Sequence, residues 1–368
     1  MAEDRTERAH WLAWSRLEGM GPIRLKRLYE HMGSMHCAWQ ADPRRWLEIS
    51  GFSLNLMEQL RSQKASVEPE ALLEKWETKY GPFLTPADRA YPAQLWEIAD
   101  PPPVLYYRGN LGPWEPAVAI VGTRRASEYG HRWAKKLGFE LGRLGFTVIS
   151  GLAAGIDGSA HRATLEAQGR TVAVLGCGVD IAYPYQHQRL YQSVIAQGGT
   201  ILSEYPPGTP PTAGYFPHRN RIVAGLSKAT LILEAPERSG ALITAYLAAD
   251  YGRDVYVLPG SLDMECSLGC LQLVDRGAHL ILSTEQLLKD LGAAGSQREA
   301  IKRSSSPTPL ELAVEEKTVW EILTAHPQSF DQIALKSGLD TGVLSALLVS
   351  LELKGGIEQL AGMQYRRC

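Results

Sequence analysis

The chain of 368 residues has little cysteine, no net basicity, little apolar character in its first ten residues and no long apolar run. Its five cysteines, Cys37, Cys177, Cys266, Cys270 and Cys368, are scattered and odd in number. That argues against a disulfide framework and suits a reducing compartment. Cys266 and Cys270 lack a second Cys/His pair at zinc spacing, so no metal is expected. With 38 Lys and Arg against 40 Asp and Glu the net charge is −2, so any surface for a polyanion must be a local patch. Met1 to His10 is charged, and no uninterrupted apolar run approaches bilayer length. Neither a secretory signal of the usual kind nor a membrane span is expected, and the expected location is the cytoplasm.

The familiar nucleotide fingerprints are also missing. There is no G-x-x-x-x-G-K-[ST], which argues against a P-loop ATPase or GTPase. Gly176-Cys177-Gly178 begins like a dinucleotide loop, but Ile181 stands where the third glycine should be. Gly151, Gly155 and Gly158 have the wrong spacing as well. An NAD or FAD enzyme and an energy-coupled motor are therefore disfavoured, and no cofactor is expected.

What is present falls into blocks. Residues 1–80 read as helical. Gly19-Met20-Gly21-Pro22 forms a hairpin into the apolar positions Ile23, Leu25 and Leu28, and Ile49-Ser50-Gly51-Phe52-Ser53 is a weaker echo. The pair resembles helix-hairpin-helix units, which in many families hold a nucleic-acid backbone by hairpin amides; a small packing module, with balanced charges, is the favoured reading. Past Asp100-Pro101-Pro102-Pro103, short β-branched runs alternate with amphipathic segments such as Trp133-Leu137-Leu141-Leu144. Strands are expected at Ala117–Val121, Thr147–Ser150, Thr171–Leu175, Thr200–Ser203, Thr230–Glu234, Asp254–Leu258 and His279–Leu282. The fold class is α/β, an open and mostly parallel sheet flanked by helices.

Residues 292–309, with Ser304-Ser305-Ser306-Pro307-Thr308-Pro309, read as a flexible linker. Residues 310–368 read as three helices followed by two short strands, a winged-helix pattern. This block carries five Lys and Arg against eight Asp and Glu, and its third helix is aliphatic. It makes a poor duplex reader and reads as a protein-contact or regulatory module.

In open α/β sheets, ligands sit beyond the carboxyl ends of the strands. Gly122-Thr123-Arg124-Arg125 follows one expected strand, Gly151 to His161 the next, and Glu237-Arg238-Ser239-Gly240 a third. Phe216-Pro217-His218-Arg219-Asn220-Arg221 packs two guanidiniums and an amide into three residues, and Ser239-Gly240 opens a helix whose free N–H groups can receive an anion. Arginines with helix N-termini point to a phosphate-rich ligand. Tyr183, Tyr185, His187, Tyr215 and Phe216 lie near the same segments, as base-stacking platforms or as turn residues capping the core. Asp157 and His161, four apart, could be an acid/base pair; an N-cap beside a buried histidine is the favoured reading. Glu204 and Glu234 could be bases or partners of Arg219 and Arg221.

Together these motifs resemble the DNA-processing protein A family (DprA/Smf). Its pattern is matched by Tyr107-Arg108-Gly109-Asn110, Val118 to Arg124, Ser150 to Asp157 with His161, Leu202 to Gly208, Phe216 to Arg221, Ser239 to Ala245, and Gly252 to Val255 with Pro259-Gly260. The resemblance implies an extended Rossmann-like domain over 82–291, a helical helix-hairpin-helix or SAM-like domain over 1–80 and a winged helix over 310–368. It implies a non-enzymatic, dimeric protein that binds single-stranded DNA, protects incoming DNA during natural transformation and loads the recombinase RecA. The family's DNA-contacting arginine carries over to Arg124 within Gly122-Thr123-Arg124-Arg125. The basic pocket carries over to Arg219 and Arg221 around Asn220, with amides from the Ser150-Gly151 turn, Gly155 and Ser239-Gly240, and with Phe216 and Tyr185 beside them. Tyr185 stands where some relatives carry a DNA-binding lysine, so stacking would replace charge there. Leu271 stands where many continue with asparagine.

The runner-up is an enzyme, a nucleoside-monophosphate phosphoribohydrolase on a related fold, with Glu234 and the Ser239-Gly240 turn serving sugar and phosphate. Its usual Pro-Gly-Gly-x-Gly-Thr loop is absent. A third reading, a transcription factor acting through residues 310–368, is weakened by that block's acidity.

Overall fold

The computed structural model describes residues 2–293, 314–324, 328–354, 357–360 and 363–367. Two compact units are present, Met1–Gly295 and Ser296–Cys368, and the N-terminal helices belong to the same unit as the sheet.

The strands of the first unit are β1 (Phe83–Leu84), β2 (Leu105–Gly109), β3 (Ala117–Val121), β4 (Thr147–Ser150), β5 (Thr171–Val174), β6 (Thr200–Ser203), β7 (Ala229–Ile232), β8 (Asp254–Val257) and β9 (His279–Leu280). They form a single sheet in the order β1-β2-β6-β5-β4-β3-β7-β8-β9. All neighbours from β6 to β9 are parallel, and β1 and β2 join antiparallel. The apolar run of β3 shows why the strands were legible. Ala117, Ala119 and Val121 face one core cluster while Val118 and Ile120 face another, so both faces are covered and alternation disappears. The strand after Pro101-Pro102-Pro103 was not expected; β2 pairs with β6 through Tyr106 to Gly109.

The order reverses at β3. Strands β4 to β6 lie on one side of it and β7 to β9 on the other, which opens a crevice between the carboxyl ends of β3 and β7. Helices α7 (Glu128–Arg143) and α8 (Ile156–Glu166) follow β3 and β4; α9 (Gln188–Ala196) follows β5 through a turn of 3-10 helix, Tyr185–His187. Helices α10 (Tyr215–Gly225), α11 (Gly240–Asp250), α12 (Glu265–Asp275) and α13 (Thr284–Asp290) complete the layers.

The earlier helices are α1 (Ala2–Ser15), α2 (Pro22–Met32), α3 (Met35–Gln40), α4 (Leu54–Lys64), α5 (Pro69–Tyr80) and α6 (Ala93–Glu97). Both expected hairpins form, with Gly19 and Gly51 at positive φ. They bind each other: Arg24 donates to the carbonyls of Gly19 (2.6 Å) and Gly51 (3.0 Å), and Arg27 to that of Ser50 (3.0 Å). Two arginines that could have met a DNA backbone are engaged inside the module.

In the second unit, α14 (Val314–Ile322), α15 (Phe330–Ser337) and α16 (Thr341–Leu353) pack with a sheet ordered β10 (Gln328–Ser329), β12 (Gln364–Arg367), β11 (Ile357–Leu360). This is the expected winged helix. The solvent face of α16 carries Thr341, Val343, Ser345, Ala346 and Val349, with no cation. The linker expected over 292–309 lies, from residue 294 on, outside the described residues. Among the described residues no single helix is long and apolar enough to cross a membrane.

Candidate nucleic-acid interface

A cleft of about 620 Å³ occupies the crevice at the reversal point. Its lining carries four guanidiniums, Arg124, Arg125, Arg219 and Arg238, against one carboxylate, Asp157. A chain of net charge −2 therefore concentrates positive charge at one rim. Gly122, Thr123, Phe216, Asn220, Ser239 and Gly240 also line it.

The loop carrying Arg124 and Arg125 is held by its backbone. Thr123 N–H donates to the Glu234 carbonyl (2.7 Å), and the Thr123 carbonyl accepts from Ile156 N–H (3.3 Å). A Cβ on Gly122 would meet Ile156 at 2.5 Å; one on Gly155, whose φ is +78°, would collide with the Thr123 carbonyl oxygen and lie 2.8 Å from the Arg124 carbonyl carbon. Gly155 thus shapes the loop without lining the cleft. Gly155→Ala is expected to destabilise the fold by about 2 kcal/mol or more and to displace Arg124. A lowered thermal midpoint with weakened ligand binding checks this; wild-type values for both would contradict it.

Arg124, Arg125 and Arg238 are exposed, and none makes a side-chain hydrogen bond or ion pair among the described residues. The Arg124 guanidinium lies 5.5 Å from the Phe216 ring centroid. Phe216 lies 5.3 Å from Tyr183, and Tyr183 5.9 Å from Tyr185. The result is an aromatic wall running out of the cleft. Opposite it, Ser239 caps α11 by accepting from Ala241 N–H (3.2 Å), while Asn220 donates to the Gly240 carbonyl (3.1 Å), tying α10 to the α11 N-terminus.

Arg219 is built in more deeply, at 5 % exposure. It donates to the carbonyls of Gly151 (2.9 Å) and Val174 and to Asn220 Oδ1 (3.3 Å). Asp157 takes the other backbone group of the same residue, accepting from Gly151 N–H (3.0 Å), and also accepts from Ala153 N–H (3.4 Å). Burial draws the Arg219 guanidinium down to about 10, with Asp157 opposing and Arg124 adding to the fall. Arg219 remains cationic at neutral pH. Burial also raises the Asp157 carboxyl, against the pull of Arg219.

Several expected contacts lie elsewhere. Arg221 is two residues from Arg219, about 200° around the helix. It is 3 % exposed and pairs with Glu204 (2.7 Å) and Asp100 (3.0 Å), facing away from the cleft. The Gly151 amide is spent on Asp157, and the Ser150 hydroxyl donates to the Ile120 carbonyl (2.6 Å), fully buried. Tyr185 does not line the cleft and stands 70 % exposed at its edge.

The possible acids and bases resolve as structural groups. His161 bonds Thr171 Oγ1 (2.7 Å), not Asp157, and burial takes it down to about 3, so it is neutral. Glu204 holds His218 (2.9 Å) as well as Arg221. Glu234 is buried, accepting from Ser127 N–H (2.9 Å) and from the Ser127 hydroxyl. Arg238 was not among the expected contacts, and Tyr183 was left open between a stacking platform and a turn residue. The signal for Arg238 was its place immediately before the Ser239 cap.

The family model described as DNA recombination-mediator protein A matches residues 82–292, and that described as DprA winged helix domain matches 303–363. Protein Smf of Synechocystis sp. is 44% identical over 395 residues, covering 98% of this chain and 99% of that protein. DNA processing protein DprA of Streptococcus pneumoniae is 42% identical over 212 residues, 57% of this chain and 74% of the relative. The X-ray structure of the S. pneumoniae protein superposes with a TM-score of 0.66 at 34% identity, covering 76% of this chain and 97% of that one. A structure of DNA processing protein A from Helicobacter pylori, reported for its single-stranded DNA binding mode, superposes with a TM-score of 0.52 at 32% identity, covering 57% and 95%. The chain belongs to the DNA recombination-mediator protein A family, the DNA-processing Smf/DprA proteins.

Proposed function

We propose that the cleft between β3 and β7 binds single-stranded DNA without turning it over. In this reading the protein works in the cytoplasm as a homodimer, protects incoming strands during natural transformation and loads RecA onto them. The observation that carries the reading is the pairing of unengaged guanidiniums with an aromatic wall. Arg124, Arg125 and Arg238 take phosphates, the Gly240 turn offers backbone amide character, and Phe216 and Tyr183 take the faces of bases. Arg219 supports the floor, and Arg221 has no part in binding.

The H. pylori relative's reported binding of single-stranded DNA supports the choice of ligand. The phosphoribohydrolase reading needs a free carboxylate for the sugar, and Glu234 is committed to Ser127. For the homodimer, the support is an exposed sheet edge at β9, where Leu280 and, two residues past it, Leu282 are solvent-facing.

Competition tests the ligand. Unlabelled single strand is expected to displace a labelled strand at lower concentration than duplex of the same length, and equal displacement by duplex would overturn the reading. Deleting residues 310–368 is expected to leave the single-strand dissociation constant within about twofold, since that block is acidic and α16 presents no cation. A loss comparable to that of the cleft variants, in a folded protein, would contradict this.

A further inference from the structure

We infer that a strand held in the cleft continues over Tyr185 into a second groove between α8 and α9, where Arg162 and Arg189 take its phosphates. The inference rests on the cleft binding single-stranded DNA.

The groove is a cavity of about 400 Å³ whose lining includes Arg162, Gln186, Arg189, Gln197 and Glu166. Arg162 and Arg189 are exposed, and neither makes a side-chain hydrogen bond or ion pair among the described residues. Glu166, four residues after Arg162, lines the same groove but pairs with neither arginine among the described residues, so both cations are available. Gln186 and Gln197 add amides that can meet phosphate or base edges. Buried Leu165 and Leu190 form part of the lining beneath them.

Exposed arginines alone mark nothing, since most are simply solvated. Continuity gives these their meaning. Tyr183 lines the cleft and Gln186 lines the groove, so Tyr183-Pro184-Tyr185-Gln186 spans from one to the other. Tyr185, in the middle, has its ring edge-on to Tyr183 and belongs to no core cluster, which is where a base leaving the cleft would stack. Arg189 follows Tyr185 by four residues, about one helical turn on. Helix α8 makes the same connection: Asp157 lines the cleft and Arg162 the groove, about 7.5 Å apart along the axis.

The test uses the full chain and fluorescein-labelled oligothymidylates of about 4 and about 20 nucleotides, spanning the usual site sizes. The double variant Arg162→Ala/Arg189→Ala is expected to bind the longer strand about tenfold more weakly, with the salt slope reduced by about 1.4 for two lost phosphate contacts. Its affinity for the short strand is expected to stay at the wild-type value, and Arg162→Lys/Arg189→Lys to keep most of the long-strand affinity. Unchanged binding of the long strand would overturn the groove and leave the cleft standing. Equal losses on both lengths would also overturn it, placing the effect in the cleft. Failure of the wild type to bind either length would remove the cleft reading, and the groove with it.

Discussion

Arg219→Ala is expected to destabilise the first unit by about 3–5 kcal/mol, seen as a thermal midpoint lower by on the order of 10 °C. The side chain is buried and donates to the carbonyls of Gly151 and Val174, so its removal strands two acceptors at once. It also leaves Asp157 holding the Gly151 N–H without a compensating charge. The two side chains clamp the peptide groups on either side of Gly151, and the second of these leads into Leu152, a non-glycine residue at φ +57°. Freed of that half of the clamp, the loop before α8 keeps the Asp157 bonds and the His187 bond to the Leu152 carbonyl (2.9 Å) but loses its contact with α10, and Thr123-Arg124 rests on that loop through Ile156. Single-strand affinity should fall with stability. Arg219→Lys is expected to recover only part of both, because an ammonium lacks the planar fork that reaches several acceptors. A wild-type midpoint in the alanine variant would show that the clamp is dispensable.

The largest effect on binding without loss of fold is expected at Arg124 and Phe216. Arg124→Ala should weaken single-strand binding about tenfold and reduce the salt slope by about 0.7, the value of one phosphate on a single strand. Phe216→Ala should cost a similar factor, in line with about 1–3 kcal/mol per stacked base, and leave the slope unchanged. Because the guanidinium lies 5.5 Å from the ring centroid, the double variant should lose less than the sum, by about 1 kcal/mol. Thermal midpoints serve as the control, since Phe216 also packs against Gly176, where a Cβ would meet the ring at 2.9 Å. An unchanged dissociation constant for Arg124→Ala at matched salt would remove it from the site. Full additivity would separate the charge from the ring.

The central parallel strands were legible because both faces are covered, which writes an apolar run such as Ala117-Val118-Ala119-Ile120-Val121 into the chain. The antiparallel addition was not, since Leu105 to Gly109 is half exposed and follows three prolines that read as a connection. Arg124 was recognisable from its place just past β3. Arg219 and Arg221 could not be told apart by spacing alone: their opposite helix faces became decisive only once Glu204 and Asp100 were seen to occupy one of them. Glycine positions announced close approach, yet not which groups approach. Gly151 proved to carry a structural amide and Gly155 to carry the arginine loop. Arg238 lay on a segment expected at the rim yet was not singled out, because a lone arginine between Glu237 and Ser239 has the pattern of any surface turn.

The most direct measurement is fluorescence anisotropy of a short labelled single strand confined to the cleft, titrated with the protein across a salt series. Three unengaged guanidiniums at the rim predict a linear fall of log affinity with log salt, with a slope of about −2. A slope near zero would mean that phosphates are not what the cleft holds, and would contradict the account.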